Sequence, residues 1–492
     1  MSFMYLNQLI GDESLHLVLF LLVTGVFVYT ELSTWHPLLL PTYMRTKSFG
    51  SRFTSTIKDY RSGKYYKPWN PISPVVIVST KKQIAELSEA ACLSQRAVYA
   101  DMFGFKHTMN KFEHNTVDHK LIRTRLYSRL LQVNGPIHLN ALYPHLLARL
   151  EVSLTKVLHV GGASNGDVSL PIAQTLRQLM SNIMGFMFFG ESLSSDEEFS
   201  SAIFRYPQEI VKCMAAFQVT PSIMSSVVHA ILTNRGKAMH LIQKRLSDCM
   251  GEGRLSWDEP EHIKRFTILH NMTELTESSD YWNPELLSQS LLGIWFAASH
   301  QPWMSSHFII LELCARKEWQ DTLRQELQQH YPLDYKSLEQ LPLLDGFIKE
   351  TIRLNPLDTL AIRRKALEPY TFSNGSLSVP SGSIVCVSSY DLMHNPETYV
   401  QPDSFDPSRF LKQSLNGQQR RFTEVSETFP IWGYGSLACP GRFHASLTIK
   451  MLLSQLLLRY EMKLEDEKAR TKWSWETFTM PYESTRVVFS PL

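Results

Sequence analysis

Residues 429–445 read FPIWGYGSLACPGRFHA, and the reading of this stretch decides the fold. Cys439 stands directly before Pro440 and Gly441, and an apolar run follows that predicts a last helix over about 441–460. Proline is tolerated in a first helical turn, and the glycines at 433, 435 and 441 let backbone come close to a flat ligand. A thiolate at a helix N-terminus is favoured by the helix dipole and by free N–H groups, so a lowered thiol pKa is expected. A core cysteine that merely precedes a helix is the plain alternative. Trp432, Gly433, Gly435 and Gly441 clustered around Cys439 argue against it. Such a cysteinate is suited to hold a haem iron as its axial ligand.

Two segments upstream carry matching signals. Residues 343–356 read LLDGFIKETIRLNP, a helical pattern in which Glu350 and Arg353, three apart, share one face. Taken alone such a pair is commonly a solvated surface pair. Further on comes Phe405-Asp406-Pro407-Ser408-Arg409-Phe410. Before both, Asn283-Pro284-Glu285 has the form of a helix start, with an Asn cap and Pro at the first helical position. The pattern after it runs to about residue 316, long enough to cross the molecule. It contains Ala297-Ala298-Ser299-His300-Gln301-Pro302.

Trp432-x-x-Gly435-x-x-x-Cys439-x-Gly441 resembles the cysteine loop of the cytochrome P-450 family. Glu350-x-x-Arg353 and the segment holding Arg409 follow the order and spacing of that family's Glu-Arg-Arg cluster. The resemblance implies haem b ligated by Cys439, with Trp432, Gly433, Gly435 and Gly441 around the cofactor. It also implies propionate contacts from His119, Arg123 and Arg363, although Arg364 beside Arg363 leaves that choice open. Leu437 departs from the family, which usually has Arg or His there, so one propionate contact should be missing or replaced. On the central helix the family's acid and threonine are replaced by His300 and Gln301. Pro302 has no N–H for the carbonyl of Ala298, so a kink is expected beside a free carbonyl. His300 titrates near neutrality in water and could replace the acid, while Gln301 can donate and accept hydrogen bonds. Ala298, His300 and Gln301 are therefore the candidate catalytic residues. The Ala-Ala-x-His form is similar to fungal secondary-metabolite members that oxidise terpenoid or meroterpenoid skeletons.

The rest of the chain is consistent with this. It has 492 residues, 44% hydrophobic and 20% charged, which excludes a disordered or fibrous protein. Lys+Arg of 49 against Asp+Glu of 47 leaves a net charge of +2, which argues against nucleic acid as a partner. Six scattered cysteines without a C-x-x-C pair exclude a zinc ribbon and argue against a disulfide framework. Residues 15–29 read LHLVLFLLVTGVFVY, with no charge inside, acids before and mostly Lys and Arg after. This predicts an uncleaved N-terminal transmembrane helix in the endoplasmic reticulum, with the body facing the cytosol. The expected organisation is an anchor over 1–35, a linker over 36–70 and a catalytic domain over 71–492. The expected fold is mainly α with a small β portion: a strand at 75–78, helices over 80–360, and a hairpin region over 370–388.

The function implied is insertion of one oxygen atom from O2 into a lipophilic substrate. Electrons would come from NADPH through a separate cytochrome reductase, since no flavin or nicotinamide motif is visible. Two other functions fit the altered central helix. One is a haem-thiolate isomerase or dehydratase that works without a reductase. The other is a non-enzymatic haem-binding protein.

Overall fold

The computed structural model describes residues 75–109, 126–130, 135–159, 166–220, 222–250, 260–277, 281–373, 375, 377–411, 421–435, 438–475 and 477–492. The expected anchor over 1–35, the linker over 36–70, His119, Arg123 and Leu437 lie outside these. Among the described residues no helix is long and apolar enough to cross a membrane.

The molecule is mainly helical. In chain order the longer helices are α1 (Lys81–Glu89), α2 (Gln95–Met102), α3 (Pro136–His159), α4 (Ile172–Ser195) and α5 (Glu197–Val219). They continue as α6 (Lys237–Cys249), α7 (Pro284–Ala315), α8 (Lys317–Gln329), α9 (Pro342–Leu354) and α10 (Arg442–Arg459). The strands are β1 (Val75–Val78), β2 (Leu93–Ser94), β3 (Val168–Pro171), β4 (Leu360–Ala366), β5 (Tyr370–Thr371), β6 (Ser378–Val379), β7 (Ile384–Ser388), β8 (Tyr460–Leu464), β9 (Lys472–Trp475), β10 (Phe478–Pro481) and β11 (Arg486–Pro491).

Helix α7 starts as its sequence dictates. The Asn283 side chain accepts from the N–H of Leu286, and Pro284 occupies the first turn. Its apolar residues point all round, so it must be enclosed. It packs on α4, α9 and α10, with Trp295 fully buried and its indole N–H donating to the carbonyl of Ile203. The helix continues through Pro302, which has no N–H to offer the carbonyl of Ala298.

The hairpin region also differs from expectation. β5 and β6 pair with each other, but β7 leaves them and joins a four-stranded sheet of order β1-β7-β4-β2. Val385, Cys386 and Val387 have no exposed surface, and a two-stranded hairpin cannot cover both faces of such a strand. In this sheet β1 runs parallel to β7, and β4 runs antiparallel to it. The six cysteines are free thiols, as expected.

Candidate active site

The loop before α10 is held by its backbone. Pro430–Trp432 forms a 3-10 turn, and Gly433 and Gly435 adopt φ of 79° and 62°, which side chains rarely do. The N–H of Cys439 then donates to the carbonyl of Trp432 at 2.6 Å, closing the loop. The Trp432 indole donates to the carbonyl of Phe422 at 2.7 Å, so this residue braces the loop rather than only flanking a ligand. Gly441 has an ordinary φ of −87° and caps α10 without a side-chain hydrogen bond. The N–H groups of Gly441 and Arg442 donate to the half-buried Cys439 sulfur, and the Arg442 guanidinium adds its charge. Both favour the thiolate, as the sequence led us to expect. Burial opposes them and dominates, so in the protein alone the thiol lies above its ordinary pKa rather than below it. Metal coordination would remove that proton outright.

Beneath the loop, Glu350 and Arg353 are fully buried and joined by two hydrogen bonds of 2.7 and 2.8 Å. Arg409 donates to the same carboxylate at 3.1 Å, and the Asp406 N–H donates to it at 2.9 Å. Arg353 also donates to the carbonyl of Met393, and Arg409 to those of Val400 and Ser404. The structure thus brings together all three residues of the expected cluster. It ties α9 to the 400–410 segment, one carboxylate serving two guanidiniums whose other N–H groups go to backbone carbonyls.

On α7, Ala297 and Gln301 are exposed although the helix around them is buried. One turn apart, they mark the face of α7 that looks into open space. Ala298 and His300 are half-buried. His300 lines a narrow cleft of about 10 Å³ with Arg177 and Ser181 of α4, Phe204, Pro207 and Gln208 of α5, and Trp303. Its ring stacks on Phe296 and meets Trp303 edge-on. Burial and the nearby Arg177 charge push its pKa down to about 3, so His300 does not titrate near neutrality. Arg177 itself pairs with Glu483 and lies over the Trp303 ring. Arg177, Ser181 and Gln208 were not evident as its neighbours in the sequence, because they come from the distant helices α4 and α5.

Arg363 is fully engaged elsewhere. It donates to both carboxylate oxygens of Asp358, at 2.9 and 2.8 Å, and to the Thr477 hydroxyl at 2.5 Å. Arg364 has 1% of its surface exposed, donates to the carbonyl of Arg363, and leaves its Nε without a partner.

These residues fit a haem. A sulfur donor is presented by a closed loop, a strip of α7 is exposed inside an otherwise buried helix, and a buried arginine has spare donor capacity. A second buried ion cluster was not legible in the sequence: Lys450 on α10 sits 2.7 Å from Asp345 and 3.2 Å from Glu339. It fastens α10 to α9.

Known proteins agree with this arrangement. The chain is 26% identical over 440 residues to the cytochrome P-450 monooxygenase janP of Penicillium janthinellum, covering 86% of this chain and 82% of the relative. It is 26% identical to the cytochrome P-450 monooxygenase penP of Penicillium crustosum (86% and 82%), and 25% identical to paxP of Penicillium paxilli (83% and 79%). Among solved structures, the retinoic-acid-bound cyanobacterial CYP120A1 superposes with a TM-score of 0.62 at 17% identity, covering 85% of this chain and 89% of that one, a likeness of fold. The family model for cytochrome P-450 matches residues 32–489. That span takes in the cysteine loop, the Glu350 cluster and the central helix together, and the chain therefore belongs to the cytochrome P-450 family, as a haem-thiolate monooxygenase of the kind found in fungal secondary metabolism, supplied with electrons by a separate redox partner.

Proposed function

We propose that this monooxygenase oxidises a terpenoid or meroterpenoid skeleton, from a seat on the endoplasmic reticulum membrane with its catalytic domain in the cytosol. The observation that carries the substrate reading is the apolar wall beside the exposed strip of α7. Phe103 meets Phe296 edge-on at 4.9 Å and stacks with Tyr99 and Phe105, and Met109 packs on Gly293. Phe105, Met109 and Phe296 are buried behind the partly exposed Tyr99 and Phe103, an apolar lining with few hydrogen-bonding groups that suits a rigid polycyclic hydrocarbon. The membrane reading rests on the uncharged stretch over 15–29, which would deliver lipophilic compounds from the bilayer.

Haem ligated by the Cys439 thiolate supplies the oxygen-activating chemistry. The chain's own residues position and proton-load it. Glu350, Arg353 and Arg409 fix the support beneath the loop. Gln301, exposed on α7, can hold a water through its carboxamide but cannot ionise. Neutral His300 can accept a proton at its bare ring nitrogen in the same step as it releases the one on its N–H nitrogen, and so link the narrow cleft at Arg177 and Gln208 to the α7 face.

The test is incubation of the membrane-bound enzyme with NADPH, its reductase, labelled O2 and a panel of terpenoids. One labelled oxygen atom in the product, dependent on NADPH, is expected. No NADPH-dependent product, with turnover of a hydroperoxide instead, would move the assignment to a haem-thiolate isomerase. The replacement of the usual acid and alcohol by His300 and Gln301 is what keeps that second reading open. Deleting residues 1–35 should release the protein from membranes washed with alkaline carbonate. Full retention would refute the anchor.

A further inference from the structure

We infer that Arg364, rather than Arg363, supplies strand β4's cation to a haem propionate, because a bulge in the strand exchanges the places of the two arginines. The inference rests on the haem reading above and goes beyond it in the residue it names.

The register of β4 against β7 shows the exchange. Ala361 pairs with Val387, and the next pair is Arg364 with Val385. Two residues of β4, Ile362 and Arg363, therefore stand opposite Cys386 alone, which is a β-bulge. Ile362 takes φ of +50°, a conformation that a β-branched residue adopts only when its surroundings impose it. In an unbroken ladder the residue opposite Val385 would be Arg363. With the bulge it is Arg364.

The side chains divide accordingly. Arg363 spends its guanidinium on Asp358 and Thr477 and lies over the Phe478 ring, pinning β4 to the 477–478 segment. Asp358 is itself fixed, since it also accepts from the N–H of Leu360. Arg363 thus has its carboxylate already. Arg364 is at least as deeply buried, and among the described residues no carboxylate pairs with it. Its contact with the Arg363 carbonyl does not neutralise it, and its Nε is unpartnered. Burial with no anion beside it pushes the guanidinium down to about 10, with the Tyr99 phenol the one group opposing the shift. A buried cation in this state calls for an anion. Strand β4 itself packs against the Pro430–Trp432 turn of the cysteine loop, so Arg364 stands on the strand that borders the cofactor site.

The test compares holoproteins of the wild type, Arg364→Gln, Arg364→Lys and Arg363→Gln. Haem loss is followed by transfer to excess apomyoglobin, and the propionate bending bands by resonance Raman spectroscopy. Arg364→Gln should release haem about tenfold faster or more, as expected for loss of a charge-assisted hydrogen bond. Arg364→Lys should fall between it and the wild type, and both should shift a propionate band. Arg363→Gln should lower the melting temperature while leaving the propionate bands in place. If Arg364→Gln yields no haem-loaded protein, Arg364→Lys and Arg363→Gln carry the comparison by the same two readouts. Shifted bands in Arg363→Gln with unchanged bands and release in the Arg364 variants would overturn the inference. A wild type that binds no haem would instead refute the cofactor reading on which it stands.

Discussion

Cys439 is held by backbone on both sides, by the Trp432 carbonyl before it and the N–H groups of Gly441 and Arg442 after it. Cys439→Ser should therefore leave the loop folded while removing the anionic sulfur. The reduced, carbon-monoxide-bound wild type should show the red-shifted Soret band of thiolate ligation, and the variant should lose the band together with product formation. A band that persists would place the ligand elsewhere. The α7 pair can be separated in the same way. Gln301→Ala should keep haem and divert most reducing equivalents to hydrogen peroxide, and His300→Ala should do so to a lesser degree, since His300 faces the Arg177 side. The ratio of product formed to NADPH consumed measures this, and unchanged coupling in both would assign the protons to other waters. With its pKa pushed down to about 3, His300 is neutral throughout the range of about pH 6 to 8, where a solvated histidine would titrate. Coupling in the wild type should accordingly show no step near pH 6.5 that His300→Ala removes.

Helix α9 is the element most sensitive to substitution. Glu350→Ala would leave Arg353 and Arg409 buried around a missing carboxylate, a loss of roughly 3–5 kcal/mol. The expected outcome is poor haem retention and a lowered denaturation midpoint, and a stable, fully loaded variant with only altered regioselectivity would count against the cluster's supporting role. Gly346 lies one turn earlier on the same helix. A Cβ there would stand 2.8 Å from the carbonyl oxygen of Pro407, which is backbone and cannot swing aside. Gly346→Ala should gain helix propensity of about 1 kcal/mol yet lose about 1–3 kcal/mol to overpacking. A lower melting temperature is expected, and a higher one would show that the 407–410 turn moves freely.

At the scale of the whole molecule, stability should depend on pH through histidines buried in the neutral form. Burial pushes His307 and His444 down to about 4, against about 6.5 in the unfolded chain. Above about pH 6.5 both states are neutral and these residues add no pH dependence. Between about 6.5 and 4 the unfolded chain takes up protons that the native state refuses, so stability falls as the pH falls, and below about 4 the loss is complete. Urea midpoints should drop from pH 7 to pH 5, and His307→Phe should make that drop shallower. An unchanged slope would mean that other groups set the acid limit.

The sequence by itself determined what local chemistry and spacing encode. The Asn283-Pro284 start fixed α7, the three-residue interval of Glu350 and Arg353 fixed their pairing, and the glycines around Cys439 fixed a loop that only such residues can form. These features act over a few bonds or one helical turn, so they are legible without coordinates. Tertiary structure decided the properties that depend on surroundings. Burial raises the Cys439 thiol in the protein without its haem and pushes His300 below its ordinary range, because desolvation depends on elements far away in the chain. Packing decided that β7 leaves its hairpin neighbours. A two-against-one mismatch between β4 and β7 decided which arginine of the Arg363-Arg364 pair is already satisfied. The register between two strands is a relation between distant segments, and neither segment's residues specify it alone.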